Sequence, residues 1–224
     1  MSSKQLLYLL QLTSPTLPVG AYSYSEGLET LVTQQIIIHK ETLQNWLIQS
    51  LKYGSIRVES AVMLRAYDYF INNELESLIK WNQWLSATRE TQELRNQSWQ
   101  MGQSLLKLFN ELQPEIKPIS IKLYPNCNYA VVFGIAGAIW NISRQELLLG
   151  YLQSWSSNLV NAGLRLIPLG QTDGQKILIY IQDTLIQVSQ EILELKDEDL
   201  RGWGWGLSLA SMQHETLYTR LFRS

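Results

Sequence analysis

The 224-residue chain is 46% apolar but only 17% charged, contains eight Trp, and has a formal net charge of −2. That balance excludes a basic nucleic-acid binder, which needs a stripe of cations to displace phosphate counterions. A single cysteine, Cys127, excludes an internal disulfide framework and points to a reducing, cytoplasmic setting. Low charge combined with many Trp and Tyr also suits extensive protein contacts, although a large helical core consumes the same residues.

In chain order, LLYLLQL (6–12) follows a lone Lys4. The run is too short and too broken for a signal peptide, and no small-residue cleavage site follows it. No stretch approaches the roughly 20 apolar residues of a membrane span. Next comes LPVGAYSYSEGLE (17–29), where Pro18 and Gly20 spell a turn. Ser23 and Glu26 stand at capping-box spacing, predicting a helix start there. That reading leaves Tyr22, Tyr24 and Glu29 without a local explanation.

Residues 40–72 read as one or two helices around Gly54, and 74–87 as another. In 88–112, Leu94, Met101, Leu105, Leu108 and Leu112 fall on one helical face. Its polar start, TRETQELRNQ (88–97), reads either as a solvated face with intrahelical ion pairs or as a binding cluster. Pro114, Pro118 and Pro125 mark 113–128 as an irregular connection and the expected break between halves. YAVVFGIAGAIW (129–140) has some strand character, but its spaced Ala and Gly favour a buried helix. Ser143 and Glu146 predict a capped helix that should stop near Pro168 and Gly170. Residues 173–195 read as one more helix, ending at the acidic Asp197–Asp199 patch.

Local signatures of chemistry are sparse. GQTDGQK (170–176) lacks the spacing and the Lys-Ser/Thr pair of a phosphate-binding loop, and G-x-S-x-G is absent. His39, His214 and Cys127 do not stand at metal-ligand spacing. GWGWG (202–206) is no dinucleotide fingerprint. Its glycines fit either a close contact or an ordinary loop. The tail, MQHETLYTRLFRS (212–224), mixes Leu217, Tyr218, Leu221 and Phe222 with two arginines. An apolar-aromatic tail of this kind docks on its own domain or on a partner.

Five collinear blocks resemble the UreF family of urease accessory proteins: LLQLTSPTLPVGAYSYSEGLE (9–29), TRETQELRNQSWQMGQSL (88–105), VVFGIAGA (131–138), NAGLRLIPLGQTDGQ (161–175) and SMQHETLYTRLFRS (211–224). The resemblance implies an all-α fold, a single globular domain of roughly 8–10 helices over 1–224 with a partner-docking tail at 211–224. It also implies a homodimer that catalyses no reaction itself; charge, the single cysteine and the lack of a long apolar run add the expectation of a cytoplasmic protein that binds no membrane or nucleic acid. Its partners would be UreD (UreH), the GTPase UreG and apo-urease. No cofactor would be held stably, because nickel and GTP are handled by the complex, GTP on UreG.

Carried onto matching positions, the tail residues His214, Glu215, Tyr218, Arg220, Leu221 and Arg223 become candidates for binding UreD. Tyr22, Ser23, Tyr24, Ser25, Glu26 and Glu29 become candidates for a UreG-related surface. Arg89, Glu90, Arg95, Gln97 and Arg165 match family-typical polar positions, whether for binding or for buried ion pairs. Catalytic and metal-ligating residues are expected to be none. GAY, NAGLRL and NCNYA depart from the commoner family wording, so Cys127 inherits no nickel-ligand role. Two further readings stay open beside the scaffold: direct modulation of UreG GTP hydrolysis by an arginine, and an internal nickel path formed with UreD.

Overall fold

The computed structural model describes residues 1–89, 91–200, 205–214 and 220–223, with 205–209 described as backbone alone. It is all-α, and the described residues contain twelve α-helices and no strand. In order they are α1 (Ser3–Leu12), α2 (Leu28–Thr33), α3 (Lys40–Tyr53), α4 (Ser55–Ile71), α5 (Leu75–Thr88) and α6 (Gln92–Leu112). These are followed by α7 (Lys117–Leu123), α8 (Tyr129–Ile139), α9 (Arg144–Leu166), α10 (Gln171–Tyr180), α11 (Gln182–Leu193) and α12 (Trp205–His214). Among the described residues, no helix is long and apolar enough to cross a membrane.

The centre is α8, buried continuously from Ala130 to Ala138 and packed between α4 and α6. Its glycines permit this closeness. A Cβ on Gly134 would collide with the Met63 carbonyl oxygen of α4. Side chains therefore interdigitate over nearly touching backbones, giving close packing with little void. The apolar face expected on α6 is present at its inner end, with Leu94, Met101 and Leu105 buried, while Leu112 emerges at 45% exposure. Ser143 caps α9 as its spacing predicts: its Oγ accepts from the Glu146 amide at 3.4 Å and donates to the Glu146 carboxylate at 2.7 Å.

Residues 40–72 form two helices split at Gly54, one of the two expected arrangements, and the φ of −83° and ψ of 174° there is extended. Three expectations are corrected. Residues 173–195 fall in α10 and α11, because the chain leaves the first helix at Ile181. Residues 113–128 are not a break between halves. A 3-10 turn (Pro114–Ile116) leads into α7, and Pro118 sits in the first turn of that helix, where its missing N–H costs nothing. The segment is also sewn into the core: Asn82 donates to the Asn126 carbonyl at 2.7 Å and accepts from the Asn128 amide at 2.8 Å. Finally, Ser23 and Glu26 form no capping box. Ser23 ends a 3-10 turn (Ala21–Ser23), and Gly27 is the residue that precedes α2.

Candidate functional site

The 17–29 segment is shaped by three left-handed residues. Gly20 has φ 76°, Glu26 φ 52° and Gly27 φ 79°. Such values suit glycine and strain a branched or bulky residue. Gly27 has a second constraint: a Cβ there would press within 3.1 Å of Ala210 on α12. The consecutive left-handed pair Glu26–Gly27 reverses the chain, so Glu26 and Glu29 serve two different environments.

Glu26 lines an internal cavity of about 60 Å³ together with Glu59, Arg89, Gln97, Tyr151 and Trp155. That is room for water and too little for a metabolite. The Glu26 carboxylate accepts from Gln97 Nε2 at 3.0 Å and from Trp155 Nε1 at 3.0 Å. Burial and the neighbouring Glu59 charge nevertheless push its pKa up to about 7. Arg89 donates to Glu59, which also accepts from Tyr151 Oη at 3.3 Å. Burial opposes the Arg89 charge, but the Glu59 carboxylate outweighs it and holds the guanidinium protonated. Burial beside Glu59 raises the Tyr151 pKa well above its ordinary value, so that hydroxyl serves as a donor.

Glu29 faces the other way, toward the end of the chain. Its carboxylate accepts the Leu221 amide at 2.6 Å, the Phe222 amide at 3.0 Å and His214 Nε2 at 3.1 Å. His214 is fully buried, and its Nδ1 meets Glu93 Oε2 at 2.9 Å. Arg220 donates to the other oxygen of Glu93 at 2.7 Å. Two carboxylates, one imidazole and one guanidinium thus join α2, α6, the end of α12 and residues 220–223.

The main chain of the loop completes the contact. The Arg223 amide donates to the Ser23 carbonyl at 2.9 Å, and Arg165 Nη2 donates to the Tyr22 carbonyl at 2.7 Å. The Arg165 guanidinium lies 4.3 Å from the centre of the buried Phe222 ring. Tyr24 donates to Gln100 at 2.6 Å. Burial raises its pKa, opposed by a side-chain hydrogen bond from Arg223. Beneath the loop, Ser211 and Thr91 share a hydrogen bond of 2.8 Å.

The structure therefore merges groups that the sequence reading kept apart. The loop residues, Arg165 and the tail residues His214, Arg220, Leu221 and Arg223 form one contiguous site. Arg89 and Gln97 lie behind it on the cavity side of Glu26. Arg95 does not join it: its Nη2 donates instead to the Arg89 carbonyl at 3.2 Å. The loop is not uniformly a surface. Tyr22 is 68% exposed and Ser23 is half-buried, whereas Tyr24, Ser25 and Glu29 are buried beneath them. Residues 211–214, taken with the tail from sequence, are the last turn of α12. Glu90, Glu215, Tyr218 and most of GWGWG lie outside the described residues.

Glu59, Tyr151 and Trp155 escaped the sequence reading. Glu59 left one signal, a lone carboxylate just before the apolar run Ala61–Leu64, which demands a partner if it is buried. Among the described residues, no group of three or more His, Cys, Asp or Glu is placed to hold a metal ion. Cys127 is buried, and burial pushes its thiol up to about 11.

Comparison with known proteins places this architecture. The family model described as UreF matches residues 37–182. A Nostoc sp. protein named urease accessory protein UreF is 56% identical over 224 residues, spanning all of this chain and 98% of that protein. A Microcystis aeruginosa protein of the same name is also 56% identical, with both chains fully covered. A Chromohalobacter salexigens protein of that name is 35% identical over 216 residues, covering 96% of this chain and 93% of that one. With end-to-end similarity at this level, the chain belongs to the UreF family.

Proposed function

We propose that this chain is an accessory protein of urease maturation, a scaffold that catalyses no reaction itself. It bridges UreD (UreH) and the GTPase UreG during GTP-dependent delivery of nickel to apo-urease. Nickel is cargo in this reading, GTP is bound by UreG, and the chain works in the cytoplasm as a homodimer. The observation that carries the reading is the end-to-end similarity to proteins named urease accessory protein UreF.

The site geometry supports a contact role. Arg220, Leu221 and Arg223 are exposed on the docked tail, and Tyr22 is exposed on the loop it joins. Exposed Tyr and Arg side chains held on an ordered backbone are the residues best suited to anchor a protein interface. The charged cluster of Glu29, His214 and Glu93 underneath fixes that backbone. Arg89 and Arg165 fit transition-state stabilisation on UreG less well. Arg89 is buried against Glu59, and Arg165 is engaged by the Tyr22 carbonyl and Phe222.

Co-purification tests the proposal. The full chain is expected to form a stable complex with UreD, which then recruits UreG. Removing residues 213–224 is expected to abolish the first step, and Tyr22→Ala to weaken the second. Equal UreD binding with and without the tail would refute the assignment. UreG turnover measured with the Arg165→Ala variant should be unchanged. A large fall in turnover with assembly intact would favour GTPase modulation instead.

A further inference from the structure

A second face of the molecule, remote in sequence from the tail, carries features that the site above does not use. Arg95, Trp99, Gln103 and Lys107 recur every fourth residue along α6, forming one stripe roughly 18 Å long. Two grooves of about 420 Å³ each flank this stripe and share the side chain of Tyr124. The first holds Arg95, Trp99 and Lys122, and the second Gln103 and Lys107. Among the described residues, no acidic one lines either groove.

The cations here are not neutralised within the described protein. Arg95, Lys107 and Lys122 form no ion pair with a described carboxylate. Arg95 is the unusual member. It is half-buried, its Nε is covered without a hydrogen-bond partner, and it sits in the first turn of a 21-residue helix. The helix dipole disfavours a cation at that end, and the half-buried guanidinium has the Arg89 carbonyl for one nitrogen but no described carboxylate to balance its charge. An anion drawn from outside relieves both.

The walls say what carries the anion. Trp99 is fixed by its Nε1 hydrogen bond to Ser86 at 3.0 Å, and Gln103 is fixed on the Pro125 carbonyl. Tyr124 projects beside them at 67% exposure. A free oxyanion uses none of this apolar surface. A peptide with carboxylates toward its two ends and apolar side chains between them on the same face uses both, and the 18 Å length corresponds to roughly six extended residues.

We propose that the α6–α7 face is a docking site for an extended acidic segment, with apolar residues between its carboxylates, supplied by a partner protein. Arg95 and Lys107 take carboxylates at the two ends, and Tyr124 packs on the segment between them. This inference is independent of which protein binds the tail.

The test is fluorescence anisotropy with labelled heptapeptides bearing Asp or Glu at the first and seventh positions and Leu, Ile or Phe at the third and fifth, beside their Asn/Gln twins. The expected result is binding of acidic members, with neutral twins bound at least about tenfold more weakly. Lys107→Gln should weaken binding several-fold, as should Arg95→Gln and Tyr124→Ser. Lys107 is exposed, so its variant tests the site even where Arg95→Gln disturbs α6. The proposal is overturned if no acidic peptide binds, if neutral twins bind equally, or if all three variants bind like the parent. Displacement by inorganic phosphate as effective as by unlabelled peptide would make this a small-anion site instead. A fall in solution mass with Lys107→Gln would make it a contact between copies of this chain. Either outcome overturns the assignment.

Discussion

Glu29→Ala is the sharpest probe of how the chain end is held. The substitution removes the acceptor of two backbone amides, at 2.6 and 3.0 Å, in a setting where the carboxylate is only 7% exposed. Hydrogen bonds to a charged, buried acceptor contribute about 1.5–3 kcal/mol each. The two share one carboxylate and are not additive, so the lower end applies, about 3 kcal/mol for the pair. His214 also loses one of its two partners, which deepens the loss. A change of about 3 kcal/mol raises the open population of residues 220–223 about a hundredfold. Amide hydrogen exchange at Leu221 and Phe222 reads this directly, with α8 amides as the internal control. Glu29→Gln keeps one neutral acceptor oxygen and should fall between parent and Ala variant. Unchanged exchange at both amides in Glu29→Ala would refute the claim that this carboxylate holds the tail.

Three further outcomes follow from the cavity and the core. Glu26 is raised from its ordinary value to about 7, so the folded protein binds the extra proton between pH 4.5 and 7 and loses that stability as pH rises through the window. Glu26→Gln should flatten the fall, so urea midpoints at pH 5 and pH 8 lie closer together than in the parent. An identical pH slope would sink the assignment. Arg89→Met should destabilise by about 3–5 kcal/mol because it strands the Glu59 charge, whereas Arg89→Met with Glu59→Leu should recover much of the loss. Chemical denaturation of both variants checks this, and equal losses would contradict the pairing. Cys127, buried and with its thiol raised to about 11, should react with an aromatic disulfide reagent at pH 8 only after denaturant is added. Rapid labelling of native protein would place it elsewhere.

The helical class was legible because periodicity is a local property. Leu94, Met101 and Leu105 mark the buried face of α6 without any knowledge of its neighbours. The spaced glycines of α8 likewise announced close packing, although not that Met63 lies opposite. The turn chemistry was less readable. Ser23 and Glu26 have the spacing of a cap, but burying the Glu26 carboxylate beside Trp155 overrides it by sending the backbone into a left-handed turn. Pro118 has the signature of a breaker yet lies in the first turn of a helix, because the same missing N–H suits both. For the site, residue type singled out the loop and the tail. Their meeting was invisible, since Glu29 and Phe222 are 193 positions apart. No local pattern encodes a contact of that range.

The grip of Glu29 has a consequence for variation. It holds Leu221 and Phe222 by their amide hydrogens, which every residue but proline possesses. The Leu221 side chain points to solvent at 63% exposure, so the fold places almost no demand on what stands there. Position 221 is thus free to change its chemistry to suit whatever it meets, while the carboxylate beneath keeps its backbone in register. Position 222 lacks that liberty, because its ring is buried beside Arg165. Residues adjacent in sequence therefore answer to different masters: 221 to the solvent it faces, 222 to the core.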